Sequence, residues 1–153
     1  MLKTVLAAGV ALALLAACAP QPISPEAIAG TYAATLDYDA LVAAGAGASA
    51  TMYKDKRILL EFRPDGLNYW SEVGPLGVVQ RQWGPFVLTA DEILLQKDQG
   101  EGSCSRHSRG YDFTEEGRYN WKLDGDQLTF ALISDECEGR TYFLIAQPWI
   151  RQP

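Results

Sequence analysis

Short alternations of apolar and polar residues fill the chain from Thr31 onward, and a single unbroken apolar run precedes them. Residues 57–63 alternate most cleanly: Ile58, Leu60 and Phe62 fall to one side, Arg57, Leu59 and Glu61 to the other. Such a period of two predicts a half-buried strand. Pro64-Asp65-Gly66 follows as a turn, because Pro presets one dihedral and Gly accepts positive φ. Residues 67–73 return as a second strand, and Gly74-Pro75-Leu76-Gly77 turns again. Strands are predicted over 31–39, 78–83, 86–89, 93–97, 110–113 and 118–123, with Gly84-Pro85 breaking or bending the chain between the second and third of these. Asp124-Gly125-Asp126 then makes a tight hairpin turn into 127–133, where Leu128, Phe130 and Leu132 face inward. Residues 140–146 are predicted as the last strand. Eight or nine short strands with turn signals every 8–12 residues or so point to an all-β fold, a small antiparallel barrel or sandwich without a second domain or internal repeat.

Two segments depart from this rhythm. Ser24-Pro25-Glu26 predicts a short helical turn with Ser24 as N-cap and Pro25 in the first position, ended by Gly30. Residues 40–50 are almost all Ala and Gly and read as a poorly ordered loop with one helical turn over 39–44, since Gly45 and Gly47 would each weaken a helix by about 1 kcal/mol. Residues 99–109 form a polar loop carrying Cys104 and His107.

The apolar run at residues 5–17 follows Lys3 and carries no charge. It falls short of the roughly 20 residues a spanning helix needs and fits the core of a signal peptide. Its end, Leu15-Ala16-Ala17-Cys18, resembles the lipobox of bacterial lipoproteins at all four positions. The resemblance implies cleavage before Cys18, a lipid on its thiol and an acyl chain such as palmitate on the new amino group. Ala19, rather than Asp, stands next; by resemblance to sorting in enterobacteria this implies the outer membrane, with the domain on the periplasmic face. The organisation expected is a signal peptide over 1–17, a lipidated tether over 18–25 with three prolines after the cysteine, and a barrel domain over 26–153.

Loss of Lys3 with the signal leaves 12 basic residues against 19 acidic ones, a net charge of −7. An acidic surface argues against nucleic acid, which demands clustered Lys and Arg. It permits a basic protein partner. With Cys18 taken by lipid, Cys104 and Cys137 remain, and an even pair in an exported chain reads as a disulfide. Closing that loop of 33 residues contributes about 4 kcal/mol in the chain-entropy account.

Gly30-Thr31-Tyr32, reached from a short helical turn, is similar to the opening of the lipocalins, where Gly-x-Trp begins the first strand. The stretch from Tyr119-Asn120-Trp121 through Asp124-Gly125-Asp126-Gln127-Leu128-Thr129-Phe130 to Arg140 resembles bacterial lipocalin-like domains. The resemblance implies a lipocalin-like barrel with a short N-terminal helical turn. It also implies an arginine on the last strand lying across the first-strand aromatic ring, with Tyr32 in place of Trp and Arg140 as the arginine. Phe62, Tyr69, Trp121, Phe130 and Tyr142 sit on alternating strands and are candidates to line a ligand cavity, the rival reading being plain core.

No catalytic constellation is expected. His107 is the sole histidine and lies between Arg106 and Arg109, so neither a zinc site nor a Cys-His dyad can be built. Glu115-Glu116 and Asp135-Glu136 sit beside turns and read as solvated faces. Arg106, Arg109, Arg118 and Arg140 read as surface charge with Arg140 structural, although such a group could grip an anion. The expectation is a non-catalytic envelope lipoprotein without metal or cofactor, binding a small apolar or amphipathic molecule or serving envelope maintenance. The alternative is a protein-interaction module of the lysozyme-inhibitor type. An apolar cavity favours the first, a filled barrel with an acidic rim the second.

Overall fold

In a computed structural model that describes residues 21–96, 99–100 and 116–153, the alternating segments become nine antiparallel strands. They are β1 (Gly30–Thr35), β2 (Arg57–Phe62), β3 (Leu67–Gly74), β4 (Gly77–Leu88), β5 (Glu92–Leu95), β6 (Gln99–Gly100), β7 (Gly117–Asp124), β8 (Gln127–Asp135) and β9 (Trp149–Arg151). The strand order runs β3-β2-β1-β9-β8-β7-β5-β4-β6, and β3 also pairs with β4. That last pairing closes eight strands into a barrel and leaves β6 as an extra strand on β4. All-β architecture and antiparallel closure therefore stand as predicted. Closure removes the free edges that an open sheet would expose.

Antiparallel partners share a face, so the register identifies the interior. Tyr32 opposes Leu60, and Leu60 opposes Trp70. Trp70 opposes Gln82, and all four side chains are buried. The outer face carries Arg57, Glu61, Arg118, Asn120 and Lys122. This apolar-in, charged-out alternation is the reverse of a membrane barrel. The rings inside meet edge to face: Phe62 with Phe86 at 5.1 Å, Tyr119 with Phe130 at 6.3 Å, Trp70 with Trp149 at 5.9 Å. That geometry sets the positive edge of one ring against the negative face of the next.

The barrel has two distinct ends. At the closed end, Ser24 caps a 3-10 turn at Pro25–Ala27, as its sequence predicts, and Ile28 is fully buried beneath it. The turns at 63–66, 89–91 and 125–126 lie at this end, as does the C-terminus, where Arg151 N donates to Asp126 O at 2.7 Å. Helices lie over the other end. For residues 40–50 the expectation is a loose loop with one helical turn over 39–44; that turn is α1 (Tyr38–Ala43), and the rest is also largely helical, with a 3-10 turn at Gly47–Ser49 and α2 (Ala50–Tyr53). Asp37 caps α1 through the Ala40 amide, and Leu41, Ala46 and Ala50 join the core. Small alanines let this backbone come close to the sheet; buried contact outweighs the low propensity of its glycines.

The largest departure concerns residues 140–146. They are not the last strand; they belong to helix α3 (Glu138–Ile145). Its buried residues, Arg140, Thr141 and Leu144, fall on one helical face rather than on alternate positions. Trp149–Arg151 is the closing strand. Gly84-Pro85 likewise fails to break β4: Pro85 opposes Leu67, its carbonyl accepts from Gln96 N at 3.0 Å, and the ladder continues past it. The strand predicted at 110–113 lies outside the described residues.

Candidate functional site

Two arginines organise the ends of the barrel, Arg140 buried and Arg151 half-buried. At the closed end the guanidinium of Arg151 lies 5.0 Å from the centre of the Tyr32 ring. Its Nη2 donates to the Tyr32 hydroxyl at 2.6 Å and its Nη1 to the Ala29 carbonyl at 2.8 Å. Tyr32 in turn donates to Ile28 O at 2.9 Å. Burial pushes the Tyr32 hydroxyl above the usual tyrosine range, with Arg151 pulling the other way. Gly30 is required beside this contact: its φ is +146°, and a Cβ there would stand 2.9 Å from Arg151 Nη1. An arginine on the last strand thus does cover Tyr32, but the residue is Arg151 and not Arg140. The alternation Trp149 in, Ile150 out, Arg151 in was present in the sequence, hidden by the assignment of 140–146 as the final strand.

Arg140 works at the opposite end. It forms a fork on Asp135, Nε to Oδ2 at 2.6 Å and Nη2 to Oδ1 at 2.9 Å, with both side chains buried. Tyr119 donates to Asp135 Oδ2, and the amide of Cys137 donates to Oδ1 at 2.8 Å. Burial foremost, then the neighbouring Asp135 charge, raise the Tyr119 hydroxyl far above its ordinary pKa. Gly117 pairs with Asp135, and a side chain at that glycine would collide with the carboxylate. These groups answer one another's charges and hydrogen bonds. They form a structural brace between β7, β8 and α3.

The remaining aromatic candidates separate into three places. Phe62 and Phe130 are buried in the interior, 6.3 Å apart. Trp121 is partly buried against the same core, its Nε1 bonded to Thr89 O at 3.1 Å. Tyr69 faces outward between Asn68 and Trp70, with Arg63 5.4 Å from its ring. Tyr142 rides on α3 and donates to Glu138 at 3.0 Å. The structure therefore does not bring the five around one cavity. Cys18, Cys104, Arg106, His107 and Arg109 lie outside the described residues; Cys137 immediately precedes α3.

Sequence reasoning missed three polar features. Asn68 is fully buried, donating to Gly84 O at 2.8 Å and accepting from Trp70 Nε1 at 3.2 Å. Gln82 is only 7% exposed, and its Oε1 has no hydrogen-bond partner among the described residues. Gln147 substitutes for a missing piece of strand. Because β9 is three residues long, it pairs with β1 only at Tyr32 and Ala33. Beyond that, Gln147 Nε2 donates to Thr35 O at 2.7 Å and its Oε1 accepts from Asp37 N at 3.2 Å. An open groove of about 460 Å³ follows the same seam, with Ala33, Ala34, Pro148 and Ile150 among its lining and Arg57 as its charged member.

Among the described residues no group of three or more His, Cys, Asp or Glu side chains could hold a metal ion, and no helix is long and apolar enough to cross a membrane. The class these features define is a small closed antiparallel β-barrel braced by an arginine at each end. No protein-family model, no curated protein and no solved structure matches the chain.

Proposed function

We propose that this chain is an envelope lipoprotein, anchored through lipidated Cys18, whose non-catalytic barrel works as a protein-interaction module. The observation that carries the reading is the interior. Phe62 alone meets Tyr32, Phe86 and Phe130, and Trp70 meets Trp149 and Phe143, so the space a ligand would take is occupied by rings. Contact with a partner then falls to the outer surface, and a mature charge of −7 steers cationic partners toward it. The lipobox supports the lipid anchor, Ala19 beside it supports the outer membrane with the domain in the periplasm, and a bond between Cys104 and Cys137 suits that compartment. The resemblance of Gly30-Thr31-Tyr32 to lipocalin openings belongs to this reading too.

A second reading, a barrel holding a small amphipathic molecule, is favoured by Gln82 Oε1. A buried acceptor without a donor costs roughly 1–3 kcal/mol, and a ligand N–H or O–H would satisfy it. Native mass spectrometry of the protein released from its own membranes separates the two. Protein carrying diacylglyceryl and acyl mass on the Cys18 peptide, with no other small molecule, is the outcome expected. A stoichiometric small molecule would favour the second reading, and an unlipidated Cys18 would overturn the anchor. Cys18→Ala should move the protein out of the membrane fraction.

A further inference from the structure

We propose that the barrel stands with its closed end toward the bilayer and presents its helix-covered end and the β3–β4 hairpin tip to the periplasm. The inference rests on the anchor reading. Its first support is chain length. Ile23 is fixed to the barrel, its amide donating to Leu88 O at 2.8 Å. Five Cα-to-Cα steps lead from it back to Cys18, a span of at most about 18 Å. The lipid must therefore enter the membrane within that distance of the closed end.

The second support is the length of β4. From Leu88 the strand runs twelve residues to Gly77. At about 3.3 Å per residue and a barrel tilt near 40°, the hairpin tip stands about 28 Å farther along the barrel axis. The tether is too short to turn the barrel over and lay this tip on the lipid.

Charge explains why the domain stands off rather than lying against the surface. Glu26, Asp65, Asp91, Asp124 and Asp126 are all exposed at the closed end. The exposed cations among them, Arg63 and Lys122, are each paired with one of these carboxylates, Arg63 with Asp65 at 2.9 Å and Lys122 with Asp124 at 3.6 Å, and the half-buried Arg151 is turned onto Tyr32 and the Ala29 carbonyl. Anionic lipid repels such a face. The far tip is different in kind: Leu76 is fully exposed, and Val78 and Val79 are exposed beside it. Apolar residues there are free of lipid.

The test uses the natively lipidated full chain in vesicles of zwitterionic and anionic phospholipid, with a trace of headgroup-labelled acceptor lipid. A fluorescent amino acid forming a short-range donor pair with that acceptor is placed at position 124 in one variant and at position 76 in another. Transfer at 124 should exceed transfer at 76 severalfold, at low and at high salt. Equal transfer, or stronger transfer at 76, in protein that stays bound would overturn the orientation while leaving the anchor intact. Failure of the lipidated protein to remain on the vesicles would overturn both. Cys18→Ala variants should show transfer at neither position.

Discussion

Arg151 lies 5.0 Å from the centre of the Tyr32 ring and bonds its hydroxyl at 2.6 Å, joining the last strand to the first. Removing it takes away a partly desolvated cation–π contact of about 1–2 kcal/mol and a donor to the Ala29 carbonyl of about 1 kcal/mol. Arg151→Ala should therefore lose about 2–3 kcal/mol in a urea melt. A loss below about 0.5 kcal/mol would mean an ordinary surface charge. Gly30→Ala should be destabilising through the same contact, since its Cβ meets Arg151 in a backbone conformation that side chains resist.

The brace at Asp135 and Arg140 predicts a different pattern. Arg140→Met leaves a buried carboxylate without its cation and should cost about 3–5 kcal/mol. Combining it with Asp135→Asn removes the stranded charge, so the double variant should be more stable than the sum of the two singles. A double-mutant cycle measures this coupling; simple additivity would show that the two residues act independently.

Tyr119 sets an alkaline limit. Its folded pKa is raised, chiefly by burial, above the roughly 10 of the unfolded chain. Above that pH the unfolded state sheds a proton that the native state keeps, so stability falls as pH rises, by about 1.4 kcal/mol per unit for this one group. Below it the contribution is fully present. Tyr32 is shifted the same way and adds to the decline. Urea melts between pH 9 and 11, a range set by that value of about 10, should show a shallower slope for Tyr119→Phe. An unchanged slope would remove Tyr119 as the cause.

Gln147 predicts a local effect. Gln147→Ala deletes two bonds to β1 and its exit, each worth about 0.5–1.5 kcal/mol at most, and less here because water can replace them. The Asp37 amide should lose protection from hydrogen exchange while Leu60, within the β1–β2 ladder, keeps its own. Loss of protection throughout β1 and β2 would indicate global destabilisation instead.

Strands whose two faces differ were legible from local sequence alone. Arg57–Phe62 and Gly117–Asp124 alternate because one side meets the core and the other meets water, and that contrast is written in consecutive residues; Gln127–Asp135 alternates only as far as Phe130, and Leu132, expected to face inward, is 44% exposed. Turns that need a particular dihedral, such as Gly125 at φ +59°, were legible for the same local reason. The closing turn Pro25–Ala27 was legible through its cap. The fate of 140–146 was settled by packing rather than by local pattern. Its aromatic and β-branched residues suit a strand, but Arg140 must turn back to reach Asp135, five positions earlier, and a helix puts Arg140 and Leu144 on one inner face. With that segment helical, closure passed to three residues at the C-terminus and to the side chain of Gln147. Which arginine meets Tyr32 depends on which strand lies beside β1. That is a contact between residues 119 positions apart, and no local pattern carries it.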